Sequence, residues 1–473
     1  MVNLKVGLIF PNIYLGNYFA ITIPIHLPLG LGYLSAVLRE AGHDVSVIDA
    51  AAERLSLTRL VDRLKKWNPD IIGITTNISS SHSAVMTARF IKKNLEQVPI
   101  IMGGPWATIE YETILKHNIA EYVVCGEGER TTVEFMNHFP DKVKLKNVNG
   151  IAFIDIDGSI VKTNSRDCIP DLDSLPFPAW DLFPPNKKYN YPHRKQPFFP
   201  IMTTRGCPFD CIHCTKVIHG YTYRKRSIEN IIQEIRYLKE KFDIKELLII
   251  DDSFNLELDR AEKIFDEIIK NNFNLHIKFS NGIRADRISP RFARKLRIAG
   301  TYYAALGIES GNQKIVNKIG KKLDLKKVIL ATRILKENKI IPGGFFILGH
   351  PYDNFETMME TLNFAKSLDL DYPHFFKAIP FPGTKMYDMV VEHGHFIKNT
   401  KNNLGIDGYT SNAGNFEIWN LKSQDIEKAF KLAYKWFYLR PRKIIRLISQ
   451  FRSIHDIWWA VTEFLLLIVK NLV

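Results

Sequence analysis

Cysteine is scarce in this chain: there are five in 473 residues, an odd number and too few for a disulfide framework. Long apolar runs are missing too. The last one, Ile457 to Val469, is interrupted by Glu463 and falls short of the roughly 20 residues that cross a bilayer. The opening stretch MVNLKVGLIFPN carries a lone lysine and a short apolar segment with no small-residue cleavage site behind it, so it reads as a buried first strand and not as a signal peptide. A formal charge of +14 comes without a basic recognition helix or a zinc-finger spacing. The lysines scatter along stretches such as RYLKEKF and read as solvated helix faces. With secreted scaffolds, membrane-spanning proteins and nucleic-acid readers set aside, the expectation is a cytoplasmic globular protein.

What is present is ordinary globular composition, 46% hydrophobic and 24% charged, in a chain long enough for about three domains. The expected class is α/β. In residues 1–145 the apolar runs KVGLIF, DVSVID, DIIGIT, VPIIMGG and EYVVCGEGE alternate with helical periodicity. That pattern predicts a five-stranded, doubly wound, Rossmann-like parallel sheet. Ser56 is placed to cap a helix over Leu57 to Trp67, whose Leu57, Leu60, Val61 and Leu64 form one stripe. Ligands of such sheets sit beyond the carboxyl ends of the strands, where TTNISSSH, GGPWAT and CGEGER fall. Residues 146–197 read as a hairpin turning at Asp157-Gly158 and a proline-rich linker. From 198 to 390 the alternation restarts with six apolar strands, which predicts an open, partial (β/α)6 barrel. Residues 391–473 read as a C-terminal helical region.

Against the general scarcity, TTRGCPFDCIHCTK gathers Cys207, Cys211 and Cys214 within eight consecutive residues, in the loop after the first barrel strand. An iron-sulfur cube has four iron corners and each takes one thiolate, so three cysteines leave one iron open. The alternative is a structural zinc with His213 or His219 as fourth ligand, although such sites usually join two separated ligand pairs.

This C-x-x-x-C-x-x-C stretch resembles the radical S-adenosylmethionine (SAM) superfamily, and IIDDSF, NGIRAD, GIESGN, GFFILGHP and PFPGT at the following strands agree with it. The resemblance implies a [4Fe-4S] cluster on Cys207, Cys211 and Cys214, SAM on the open iron, and a 5′-deoxyadenosyl radical that removes hydrogen from an unactivated carbon. It further implies Asp251 and Asp252 at the SAM amino group, Glu309 at the ribose and His213 near the adenine. Arg284 is a candidate for the SAM carboxylate, with an ordinary ion pair as its alternative. The segments PLGLGYLSAVLREAGHDVSVIDA, GGPWAT and VVCGEGE are similar to the cobalamin-binding arrangement of the B12-dependent radical SAM family. That similarity implies a corrin between the two domains, against Thr76, Gly103, Gly104, Gly126, Glu127 and Gly128. No D-x-H-x-x-G occurs, which implies a cobalt with no histidine below it.

The leading expectation is therefore a cobalamin-dependent radical SAM methyltransferase drawing electrons from a donor such as flavodoxin or ferredoxin. A non-methylating cyclase or rearrangement enzyme is the alternative within enzymes, and a B12 or redox sensor that binds nucleic acid is the alternative outside them. A methylthiotransferase is disfavoured, since only Cys125 and Cys168 remain for a second cluster. The substrate is a small molecule or a lipid. The tail, with tryptophans beside arginines and lysines, suits either packing on the barrel or peripheral contact with the inner membrane face.

Overall fold

The computed structural model describes residues 3–13, 24–397 and 414–438. Its first sheet is built from Lys5–Phe10 (β1), Asp44–Asp49 (β2), Ile71–Thr75 (β3), Ile100–Gly103 (β4), Tyr122–Val124 (β5), Ile151–Ile154 (β6) and Ile160–Lys162 (β7), in the order β2-β1-β3-β4-β5-β6-β7. The first five strands are parallel. Their interiors are buried almost without interruption, as expected where helices cover both faces. Ser56 caps the Leu57–Trp67 helix by accepting from Arg59 N, and Leu60, Val61 and Leu64 are buried beneath it.

The sheet has seven strands rather than five. The hairpin expected between the domains joins it, with β6 antiparallel to β5 through Tyr122↔Phe153. Three-residue β5 would otherwise be a short, bare edge with unpaired backbone groups. The proline-rich stretch that follows is a seam, not a free linker. Ala179 N donates to Gly32 O, and the Tyr189 hydroxyl donates to Asp49 in the first sheet. Asn186 brackets Phe198 at the start of the second sheet.

The second sheet contains Phe198–Ile201 (β8), Glu246–Ile249 (β11), His276–Ile283 (β12), Thr301–Glu309 (β13), Ile341–Leu348 (β14) and Tyr372–Lys377 (β15). All six are parallel, in the order β15-β14-β13-β12-β11-β8 with no closure between β15 and β8. Between β8 and β11, Thr204–Arg205 (β9) and Arg224–Lys225 (β10) pair as a short ribbon. Helices cover the outer face; Ile228–Phe242 buries Ile231, Ile232, Ile235 and Leu238, and Ser227 caps it. The inner face differs, because β12 and β15 alternate fully buried outward residues with partly exposed inward ones. Ser423–Tyr438 forms a helix that buries Ile426, Ala429, Ala433 and Phe437. No helix among the described residues is long and apolar enough to cross a membrane. The tail from 441 to 473, for which packing on the barrel and peripheral membrane contact are the two expectations, lies outside the described residues.

Candidate active site

The three cysteines hang from the carboxyl end of β8 in a loop fixed on several sides. Gly206 opens it at φ +81, and a side chain there would strike Thr222 O at 2.2 Å, so only glycine fits. Asp252 accepts from Gly206 N at 3.0 Å. Ile212 N donates to Ile319 O, and Ile212 O accepts from Met386 N. Burial pushes the Cys211 thiol up to about 11 and raises Cys214 as well. Lys321 beside Cys211 and Lys216 beside Cys214 act in the opposite sense without outweighing burial, and a bound metal would add positive charge while displacing the thiol protons. The donor set therefore suits an iron-sulfur cluster. The histidines that could have completed a zinc site have other neighbours: His219 Nδ1 lies 3.0 Å from Glu127 Oε1, and the His213 ring packs 5.3 Å from that of His350.

Beside the loop the barrel presents a buried polar group. Glu309 is paired with Lys321 Nζ at 2.8 Å and sits at φ +70, a conformation that costs energy for a residue with a side chain. Burial acts to raise the Glu309 carboxyl, but the charges of Lys321 and His213 outweigh it and leave it below its ordinary range. His213 Nδ1 and both ring nitrogens of His350 are buried without a hydrogen-bond partner. Such orphaned groups are rare in folded proteins. They mark a place shaped for a polar ligand, which fits SAM beside the cysteines.

The remaining expected SAM residues are placed unevenly. Asp252 lines the cavity described below. Asp251 directs one oxygen at Thr203 N and the other at the hydroxyls of Thr203 and Thr204. Burial still lifts its carboxyl to about 6, so it braces the turn ahead of the cysteines. Arg284 takes the ordinary ion pair that was its alternative: it binds Asp286 at 2.9 and 3.1 Å, donates to Lys322 O, and stacks over Phe209 at 3.8 Å.

Between the two sheets lies a cavity of about 410 Å3. Gly103, Gly104, Gly126, Glu127 and Gly128 line one side, and Cys214 to Gly220 with Asp252 line the other. Leu8, Leu29, Ile74 and Met102 give it an apolar floor. The glycines keep the rim free of side chains at the strand ends, a cradle suited to a broad, flat ligand such as a corrin. Gly104 adopts φ +100 and its α-carbon would carry a side chain into Thr76 O at 2.3 Å. Thr76 is buried behind this rim, with its hydroxyl between Gly103 O and Ala107 N; it shapes the loop from the rear.

Glu127 also has a role that the sequence did not suggest. From the first domain it reaches Arg224 at 2.8 Å, Arg205 at 3.3 Å and His219, all from the second, and it accepts from Ile169 N in the seam at 2.7 Å. Glu129 adds a 2.6 Å bond to Arg205. Burial alone would raise the Glu127 carboxyl, yet His219, Arg224 and Arg205 together hold it far below the usual range. Residues missed in the sequence thus include Arg205, Arg224, Lys321 and His350. Arg205 and Arg224 lie 78 and 97 residues from Glu127, too far for local spacing to reveal the pairing, and His350 has no hydrogen-bond partner to point to it.

Comparison with known proteins gives the same two-part division. Residues 24–136 match the B12 binding domain, and residues 201–365 match the Radical SAM superfamily. An uncharacterized methyltransferase of Pyrococcus horikoshii is 32% identical over 425 residues, which cover 89% of this chain and 90% of that one. An anaerobic magnesium-protoporphyrin IX monomethyl ester cyclase of Rubrivivax gelatinosus is 26% identical over 369 residues, 76% of this chain and 65% of that one. Among solved structures, the cobalamin-dependent SAM radical enzyme OxsB with aqua-cobalamin bound shares the fold, with a TM-score of 0.74 and 18% identity over 94% of this chain and 70% of that one. This chain therefore belongs to the cobalamin-dependent radical SAM family, and its cofactors are a [4Fe-4S] cluster, SAM and cobalamin.

Proposed function

We propose that the protein is a methyltransferase that modifies an unactivated carbon of a small molecule, with Cys207, Cys211 and Cys214 holding the cluster and the glycine rim holding cobalamin. The observation that carries this reading is one cavity, walled by Gly103, Gly104, Gly126 and Gly128 on one side and by Cys214 on the other. Two cofactors that share a cavity can act on one substrate. Bound together they supply reductive cleavage of the SAM sulfonium bond, removal of a hydrogen atom and a carrier for the methyl group, with electrons from a flavodoxin- or ferredoxin-like donor.

The chain's own part is to hold and to shield. Glu127, Arg205, Arg224 and His219 fasten the domains around the cavity, which keeps water out and the two cofactor sites in fixed register. The inner face of the barrel, partly open at Phe345, His374 and Phe376, gives the substrate a route in. Anaerobic protein given reductant, SAM and candidate substrates should form S-adenosylhomocysteine and 5′-deoxyadenosine in comparable amounts, since one SAM donates methyl and a second is cleaved. The likeness to the cyclase of Rubrivivax gelatinosus supports a second reading, in which only 5′-deoxyadenosine forms. Labelled methyl that never leaves SAM while deoxyadenosine accumulates with substrate would select it. Lipid extracts belong in the substrate panel beside polar metabolites, because of the basic, tryptophan-bearing tail sequence.

A further inference from the structure

His350 is the least satisfied polar side chain near the site. Its ring is completely buried, and neither Nδ1 nor Nε2 has a hydrogen-bond partner. Its backbone is fixed. Asp353 Oδ2 accepts from Gly349 N at 3.2 Å and from His350 N at 2.9 Å, while Asp353 Oδ1 accepts from the Thr357 hydroxyl at 2.7 Å. The imidazole is thereby aimed from the end of β14 toward His213, one residue before Cys214, beside the Glu309–Lys321 pair. A buried group left this way costs the full desolvation of two polar atoms, unless a ligand satisfies them.

We propose that the His350 imidazole hydrogen-bonds the neutral adenosine half of SAM and so selects for that half of the ligand; the inference rests on the radical SAM reading of the site. Burial, reinforced by the charges of His213 and Lys321, pushes His350 down to about 3, so at neutral pH the ring carries no charge. It then offers one donor and one acceptor. This pair complements a ribose hydroxyl or an edge of the adenine. It complements the methionyl half poorly, because there the carboxylate, ammonium and sulfonium call for ionic partners. Lys321 and Glu309 stand beside the ring to meet other polar groups of the same ligand.

The test uses the anaerobic full-length protein with its cluster in place, and measures dissociation constants by equilibrium dialysis for SAM, 5′-deoxyadenosine and methionine separately. His350→Phe removes the hydrogen bonds and keeps a planar ring. It should weaken SAM and 5′-deoxyadenosine about tenfold or more while methionine binding changes by less than about twofold. His350→Gln keeps a donor and an acceptor and should recover most of the loss. His350→Met, whose flexible side chain adapts to the space, repeats the test should the phenylalanine variant fail to fold or to hold iron. Unchanged 5′-deoxyadenosine binding in the apolar variants, or an equal loss for methionine, overturns the proposal. A wild-type protein that holds its cluster yet binds neither SAM nor methionine overturns the radical SAM reading as well, a result recognisably different from an effect confined to His350.

Discussion

The two sheets of this molecule are made of the same strand-helix units and do opposite things. In the first, β1, β3, β4 and β5 are buried along nearly their whole length, so no strand side chain is free for chemistry. Function is confined to the loops at the strand ends, and there it is supplied by glycine and backbone. In the second, no helix layer covers the inner face among the described residues, where alternate positions of β12 and β15 stay partly exposed. Inward positions such as Lys278, Ser280, Phe345 and His374 are only partly covered, so side chains from the strands themselves, including Glu309 at the end of β13, can meet a ligand. Covering both faces of a sheet makes a platform, and covering one makes a vessel.

The sharpest test of that contrast is Cys211→Ala in the barrel loop. It should abolish the cluster, taking iron from about four per chain to near zero, and leave cobalamin retention intact, because the platform owes nothing to the thiols. Iron analysis and the visible spectrum of the corrinoid report both. Glu127→Ala breaks the fastening between platform and vessel. It leaves Arg205 and Arg224, whose side chains are about 5% exposed, buried beside an empty place, which should cost ~3–5 kcal/mol in denaturant unfolding. Because the Glu127 carboxyl lies well below its ordinary range, its contribution is fully present above the normal titration range of glutamate. It persists on mild acidification and is lost only as pH falls through the depressed value.

A smaller effect is expected at the rim. Gly104→Ala forces a side chain against Thr76 O at a strain of ~1–3 kcal/mol. The variant should release cobalamin on gel filtration while keeping its iron, the mirror image of Cys211→Ala. The smallest effect separates the open face from the closed one. Burial, with Lys278 nearby, pushes His374 down to about 4. A histidine depressed in the folded state contributes stability that is present above the unfolded pKa near 6.5 and is lost as pH falls from there toward 4. The native protein should therefore lose ~1–2 kcal/mol from this group between pH 7 and pH 5. His374→Phe should lose that much less, as read from the midpoint of urea unfolding at the two pH values.

Much of the candidate site could be read from the chain because the three cysteines proposed to hold the cluster are local. Cys207, Cys211 and Cys214 lie in one loop, and their spacing already limits what they can hold. The glycine rim was legible for a related reason, since strand-end glycines announce themselves at each turn of a doubly wound sheet. Glu127 shows where this stops. It was expected at the corrin and it does line the cavity, yet its carboxylate is engaged with Arg224, 97 residues away, and Arg205, 78 residues away. His350 lay in a stretch noted for its family likeness, but nothing in GFFILGHP states that both its nitrogens would be buried without partners.

Hydrophobic periodicity, turn chemistry and cap residues act over a few positions, and they were enough to set the order of strands and helices and the class of both domains. The attachment of the hairpin to the first sheet, the bond from Tyr189 to Asp49, the fastening through Glu127 and the packing of His350 against His213 came from elsewhere. Each is a meeting of groups far apart in the chain, decided when packed faces and buried charges had to find partners in the folded molecule, and no local pattern encodes such a meeting.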